Sequence, residues 1–367
     1  MRRGGDFWTK RDANFINELM KTEAIYLLQQ LIATPSFSRE EAATADLLAA
    51  FFHQKNIPTE RLGNNILARG KHWQADRPTL LLCSHHDTVR PVSGWRRDPF
   101  EPVVDDGKLY GLGSNDAGAS LVSLAAVFVH FYEAKNLPWN LVFLAAAEEE
   151  VSGNQGVAMA LPELGQVDVG IVGEPTGMQM AVAEKGLLVV EAEAHGVAGH
   201  AARDEGENAI YTALQDIDFL KNYRFEKTSD LLGPVKITVT QIEAGTQHNV
   251  VPDRCRFVID IRTNECYPNE EVFAILQKNL RSELRARSFR LNSSGIPLDH
   301  PLVRRGEVLR LKSYGSPTLS DAALMPFPTL KIGPGDSARS HTADEFAYIR
   351  EIEEGIETYL KLIEIGN

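Results

Sequence analysis

Cysteine is scarce. The chain has three in 367 residues, Cys83, Cys255 and Cys266, an odd number without CxxC spacing. That excludes a disulfide framework and makes a reducing cytosol the simplest home. Cys83 lies in an apolar run and reads as a small buried hydrophobe. Basic charge is also short: 38 Lys and Arg stand against 50 Asp and Glu, a net charge of −12. Nucleic-acid sites need clustered Lys and Arg, so nucleic acid is excluded as the main partner. An anionic membrane surface is disfavoured for the same reason. No stretch approaches the roughly 18 uninterrupted apolar residues that span a bilayer. Met1 to Lys10 carries two arginines but no apolar run behind them, so it is not a secretory signal. Internal repeats and low-complexity segments are missing as well. What remains is an ordinary globular mixture, 43% hydrophobic and 24% charged. Its length suggests two domains, at about 150 residues each.

The first third alternates helical and strand patterns. Thr22 to Ala33 carries Ile25, Leu28 and Ile32 at helical spacing and stops before Pro35. Ser38 with Glu41 predicts a capping box opening a helix to about His53. Gly63-Asn64-Asn65 predicts a turn. Thr79 to Cys83, Leu141 to Ala147 and Val167 to Val172 are short, continuous apolar runs, the pattern of strands buried on both faces. Ala119 to Ala134 reads as a helix between them. This alternation implies an α/β layer with a mixed, largely parallel sheet flanked by helices. Near Met178 the character changes. Leu187 to Ala194, Val235 to Glu243 and Arg254 to Arg262 alternate like half-buried strands, while Asn208 to Leu220 and Asn269 to Glu283 read as helices. The expected organisation is a discontinuous catalytic domain, residues 1–178 and 292–367, with an α+β domain inserted at 179–291.

In such sheets, ligands gather beyond the carboxyl ends of the strands. After the first buried run comes Ser84-His85-His86-Asp87-Thr88. After the second comes Glu148-Glu149-Glu150, and after the third Gly173-Glu174-Pro175-Thr176. Between them sits a Gly-rich loop ending in Asp116. Near the C-terminus, Gly333-Pro334-Gly335-Asp336 runs into Ser340-His341-Thr342. Each piece alone has an ordinary reading as turn or solvated face. Their order places acids and histidines at one sheet edge, where carboxylates repel one another unless divalent cations intervene. Two imidazoles with several carboxylates suit zinc. A strand spacing of two puts His85 and Asp87 on one face, so Asp87 is expected to hold the second nitrogen of His85.

The set of motifs resembles the co-catalytic zinc amidohydrolases and exopeptidases, among them the acetylornithine deacetylase and succinyl-diaminopimelate desuccinylase group, aminoacylase-1 and carboxypeptidase G. It rests on Ser-His-His-Asp-Thr-Val (84–89), Gly-Leu-Gly-Ser-Asn-Asp (111–116) and Glu-Glu-Glu-Val-Ser-Gly-Asn-Gln-Gly (148–156). Gly-Glu-Pro-Thr (173–176), Gly-His-Ala-Ala (199–202), Asn-Val-Val-Pro (249–252) and the segment 333–345 complete it. The resemblance spans nearly the whole chain, and acetylornithine deacetylase looks closest. It implies a zinc exopeptidase-like catalytic domain with a ferredoxin-like lid. His85 and Glu174 would be terminal ligands of one zinc, Glu150 and His341 of the other, and Asp116 would bridge both, with a cis bond to Ala117 expected. Glu149 would be the general base, with Asp87 also counted among the catalytic residues; a rival register makes Glu148 the base and Glu149 the ligand. His200 would assist the oxyanion, often from the partner subunit in similar enzymes. Asn249, Arg262 and the backbone N–H groups of Gly333 and Gly335 would hold a substrate carboxylate, with Asp336 and Glu345 as weaker candidates.

Two departures stand out. After Asp116 the chain reads Ala117-Gly118-Ala119 where many relatives have Met-Lys-Gly, and Arg203-Asp204-Glu205-Gly206 lacks a proline common near the lid histidine. Both bear on substrate fit. The other histidines are expected to be structural or solvent-exposed, His86 pointing away from the metals. The implied activity is hydrolysis of the amide of an N-acyl amino acid: N-acetylornithine in arginine biosynthesis, or N-acetyl- or N-succinylcitrulline. Alternatives are succinyl-diaminopimelate desuccinylase, a dipeptidase, and an inactive binding or assembly protein, against which the full ligand set speaks. Two zinc ions per chain, with cobalt as a substitute, a cytoplasmic location, and a homodimer through the inserted domain complete the expectation.

Overall fold

A strand apolar at every position is stable only where both sheet faces are covered. The computed structural model, which describes residues 10–364, has a sheet whose central strands are buried at every position. All but the last residue of the Met1 to Lys10 reading lies outside the described residues. Seven of its strands are β1 (Thr59–Leu62), β2 (Asn65–Arg69), β3 (Thr79–His85), β4 (Asn140–Ala146), β5 (Val169–Val172), β6 (Met180–Glu184) and β7 (Thr329–Lys331). They lie in the order β1-β2-β4-β3-β5-β7-β6. Strands β4, β3, β5 and β7 run parallel, while β1, β2 and β6 run against their neighbours. Every residue of β3, β4, β5 and β7 is buried. The carboxyl ends of four parallel strands therefore share one edge.

Helices α1 (Lys10–Ile32), α2 (Ala42–Gln54), α3 (Ala119–Phe131) and α4 (Ile349–Ile363) pack with this sheet into one apolar core. At its centre Phe52, Phe128 and Phe143 meet in edge-on and tilted pairs, with centroids 5.1–5.9 Å apart, geometries aromatic quadrupoles favour. The expected capping box at α2 does not form. Glu41 precedes the helix without a side-chain cap. Instead the Ser38 hydroxyl donates to Asp87 Oδ2 at 2.7 Å. The Glu41 carboxylate accepts the N–H groups of Arg39 and Glu148, at 2.5 and 3.2 Å. Buried carboxylates need donors more than an exposed helix end needs a cap.

The described residues divide into two compact units. One holds residues up to 182, residues 296–313 and those from 325 on; the other holds residues 183–295 and 314–324. Sequence alone puts residues 314–324 in the catalytic part, but they group with the second unit, where the Ser320 hydroxyl donates to Glu184 Oε2 at 2.8 Å. In the second unit, strands Gly186–His195, Lys236–Ala244, Arg254–Thr263 and Glu283–Ala286 alternate with helices Ala209–Asn222 and Asn269–Asn279 as βαββαβ. All pairings are antiparallel, and the spatial order is fourth-first-third-second, the ferredoxin-like arrangement. Burial along Gly186–His195 alternates nearly without fault, one face to the core and one outward.

The helix expected to reach Glu283 ends at Asn279. The buried Asp216 carboxylate accepts the N–H groups of Arg281 and Ser282, at 3.0 and 2.9 Å, and the Ser282 hydroxyl at 2.6 Å. That turns the chain into its edge strand. Asp216→Ala leaves these donors without an acceptor, and we expect a loss of about 2 kcal/mol, within the usual cost of unsatisfied buried groups. Urea denaturation reads it directly; an unchanged midpoint would contradict the assigned role.

Candidate metal centre

Strand β3 ends in His85, wholly buried at 1% side-chain exposure. Its Nδ1 lies 3.0 Å from the main-chain oxygen of Asp87, which fixes the ring and aims Nε2 off the sheet edge. Nε2 lies 3.3 Å from Asp116 Oδ1, 3.8 Å from Glu174 Oε1 and 4.0 Å from Glu149 Oε2. The other Asp116 oxygen, Oδ2, lies 3.7 Å from His341 Nε2, which sits 2.9 Å from Glu150 Oε2. Two groups result, His85–Asp116–Glu174 and Asp116–Glu150–His341, each with ligand atoms within 4.8 Å of one another. Asp116 belongs to both. Its peptide bond to Ala117 is cis.

The Asp87 carboxylate does not take the main bond to His85. Oδ1 lies 3.5 Å from Nδ1, farther than the carbonyl. Asp87 instead accepts the N–H groups of Glu149 and Glu150, at 3.0 and 3.2 Å. It thereby pins the turn after β4 that presents both glutamates. Glu148 has a positive φ of 56°, and its Oε2 accepts the Gln155 N–H at 3.2 Å. Of the three consecutive glutamates, Glu149 and Glu150 meet the histidines.

The electrostatics suit cations. Burial alone would lower the pKa of His85, but bonding to Asp116 and Asp87 and the charges of Glu149 and Glu174 raise it well above the ordinary value. A hydrogen bond to Glu150, with the nearby Asp116 and Glu345 charges, pushes His341 up to about 9. Burial would raise Asp87, but His85, Ser38 and the Glu149 N–H hold it below the usual carboxylate range. Two histidines with three carboxylates, oxygen and nitrogen donors without thiolate, fit a pair of zinc-like divalent ions. His86 faces elsewhere, with Nδ1 2.9 Å from the Thr44 hydroxyl and Nε2 3.0 Å from the Asn64 carbonyl; burial lowers its pKa.

Other expected positions fall differently. Gly333 does not present a free N–H, because it donates to the Thr176 hydroxyl at 3.1 Å. Its glycine identity serves packing: a Cβ would lie 2.2 Å from Ser120 Oγ. Gly335, with φ +97°, would bring a Cβ to 2.6 Å from Asn115 Oδ1. Asp336 accepts the Ala338 N–H at 2.9 Å. Glu345 is buried, and its carboxylate accepts three backbone N–H groups of the loop that carries Asp116. A substrate carboxylate would meet repulsion there. In the second unit, His200 pairs with Val250 in a two-stranded ribbon, and the Ala201 N–H donates to the Asn249 carbonyl at 3.0 Å. Both side chains are exposed neighbours. Arg262 is held by Asp260 in a bidentate pair, at 2.9 and 3.0 Å. No helix among the described residues is long and apolar enough to cross a membrane, and no disulfide joins Cys83, Cys255 and Cys266.

Sequence reasoning gave Ser38 and Glu345 other roles, a helix cap and a weaker substrate-carboxylate candidate, and missed the bonds they make. Neither has a local signal, since their partners lie 49 and about 230 residues away.

The model of Peptidase family M20/M25/M40 matches residues 81–365. Among solved structures, aminopeptidase PepT from Bacillus cereus is 20% identical, with a TM-score of 0.76, over 95% of this chain and 98% of that one. A tripeptidase from Staphylococcus aureus is 20% identical, with a TM-score of 0.75, over 94% and 98%. The YxeP protein of Bacillus subtilis, a dinuclear metal-binding peptidase of the M20 family, is 17% identical, with a TM-score of 0.71, over 94% and 98%. At these identities the likeness is one of fold.

Proposed function

The chain belongs to peptidase family M20/M25/M40, and on that premise we propose that it hydrolyses the amide bond of a small N-acyl amino acid, N-acetylornithine foremost, with two zinc ions. The supporting observation is the shared carboxylate, with Asp116 lying 3.3 Å from His85 and 3.7 Å from His341 through different oxygens. His85 and Glu174 would hold one ion and Glu150 and His341 the other, with Asp116 contributing to both groups. When bound, the ions supply Lewis acidity, favouring hydroxide over water and polarising the scissile carbonyl.

Glu149 takes a proton from the attacking water and returns it to the leaving nitrogen. Asp87 holds the Glu149–Glu150 turn in place through two N–H bonds. His200 is assigned to the carbonyl oxygen as charge develops there, and Asn249, Arg262 and Gly335 to the substrate carboxylate. Asp87→Ala should keep two zinc ions per chain and lower kcat about 10- to 100-fold, as loss of a supporting partner does. An unchanged kcat would remove Asp87 from the machinery.

The second reading is a di- or tripeptidase. It is favoured by the fold shared with the aminopeptidase and the tripeptidase. Release of free amine from N-acetylornithine, N-acetylcitrulline, their N-succinyl analogues, succinyl-diaminopimelate, a dipeptide and a tripeptide separates the two. Chelator-sensitive turnover of one acylated amino acid supports the deacylase. Turnover of peptides alone moves the chain to the peptidases, and no turnover by zinc-loaded protein favours a binding role. We also propose a cytoplasmic homodimer through the second unit. Its strand Lys236–Ala244 lies at a sheet edge with Ile242 exposed, and Tyr211 and Leu214 are exposed on a nearby helix of that unit. Sedimentation at 40.6 kDa rather than twice that mass would overturn it.

A further inference from the structure

Loop 111–116 carries the carboxylate common to both metal groups, yet it has little regular structure of its own. Its backbone is tied to one residue. Glu345 Oε2 accepts the Gly113 N–H at 3.0 Å, and Oε1 accepts those of Asn115 and Asp116, each at 2.9 Å. The Glu345 carbonyl takes the Gly111 N–H at 3.0 Å. Four N–H groups of one short loop thus converge on a single buried residue. Three converging backbone N–H groups are a ready anion cradle, and here the protein fills it with its own side chain. The loop has little room to drift, because a Cβ at Gly113 would lie 2.5 Å from Thr88 Cγ2. Asn115 adds a reciprocal pair with the Asp336 main chain, at 2.9 and 3.1 Å.

The neighbouring residue does similar work on a different loop. Asp344 Oδ1 accepts the N–H groups of Arg96 and Arg97, at 2.9 and 3.2 Å, and Oδ2 accepts Arg96 Nε at 2.6 Å. These bonds moor the short stretch from His341 to Asp344. They do not touch the loop of Asp116. Glu345 therefore grips the loop that carries Asp116, whereas Asp344 ties its own stretch, which carries His341, to residues 96 and 97.

We propose that Glu345 is a positioning residue for the shared ligand Asp116, and that Asp344 positions His341 alone. The inference rests on the two-ion reading above. Its consequence is an asymmetry: loosening Asp116 weakens both ion positions, whereas loosening His341 weakens one.

The probe is the zinc ion, titrated calorimetrically into metal-free full-length protein. Wild type should show two sites. E345Q replaces an acceptor oxygen with an amide facing N–H donors, and it should lower zinc affinity at both positions about 10- to 100-fold, the range for loss of a supporting partner. D344N should lower it at one position only. In an H341A background, which retains the other position, D344N should change nothing further, while E345Q should still cost about tenfold; such a cycle isolates the coupling. A merely structural role would lower the melting temperature equally with and without zinc, whereas the positioning role shrinks the zinc-induced rise. Equal affinities in E345Q and wild type, or equal losses at both positions in D344N, would overturn the proposal. Should E345Q fail to fold, E345D carries the test: it keeps the charge, is one methylene too short to reach all three donors, and should show the same two-position loss. Fewer than two sites in wild type would overturn the two-ion reading itself and this inference with it.

Discussion

Glu149→Gln should slow turnover about a thousandfold while leaving two zinc ions in place. Proton transfer by a positioned side chain contributes about 10² to 10⁴ in rate, and the amide analogue keeps the shape but cannot accept the proton. The Glu149 carboxylate lies 4.0 Å from His85 Nε2, at the rim of one metal group rather than inside either. That placement is what a base requires: near the ions, but not consumed by them. The paired measurement is kcat with metal content. Lost zinc would make Glu149 a ligand, and full activity would remove it from the chemistry. Glu148→Gln is the control. Its carboxylate serves the Gln155 N–H, so activity should stay within a few-fold of wild type. A collapse in Glu148→Gln beside an active Glu149→Gln would reinstate the rival register.

Asp116→Ala should have the second large effect. Its two oxygens reach the two histidines separately, so one substitution strips a ligand from both positions. Zinc per chain should fall from two toward none, whereas Glu174→Ala should lose only one. Ion pairs supply several kcal/mol of transition-state stabilisation, and each ~1.4 kcal/mol is tenfold, so activity should fall about a thousandfold or more. Zinc at about 100 times its Kd stabilises a binding protein by about 2.7 kcal/mol. Asp116→Ala should therefore lose the zinc-induced rise in melting temperature that wild type shows. Retention of one tight zinc would mean that the carboxylate is not shared.

The parallel strands and the edge they share were readable because both signals are local. A continuous apolar run marks a strand buried on both faces, and the side chains that matter come at or just after its end, as His85, Glu149, Glu150 and Glu174 do. The supporting bonds were not readable. Whether the Gly333 N–H is free depends on Thr176, 157 residues away. Whether Ser38 caps a helix depends on Asp87, 49 residues on. In each case a buried charge or donor outbids the local partner, and its position exists only after folding. The same logic ends the helix at Asn279, where Asp216 takes the next N–H groups.

Strand β7 lies between β5 and β6 in space, yet residues 183–295 intervene before it in the chain. On a ribosome, β5 and β6 are made first and their eventual neighbour arrives some 145 residues later. Until then β5 keeps one edge without a mate. A nascent chain at that stage already carries His85, Asp116, Glu150 and Glu174, but not His341. One ion position has all its donors long before the other. Residues 341–345, which follow β7, bring the missing ligand, its mooring and the anchor of loop 111–116 together, so assembly of the centre waits on completion of the sheet.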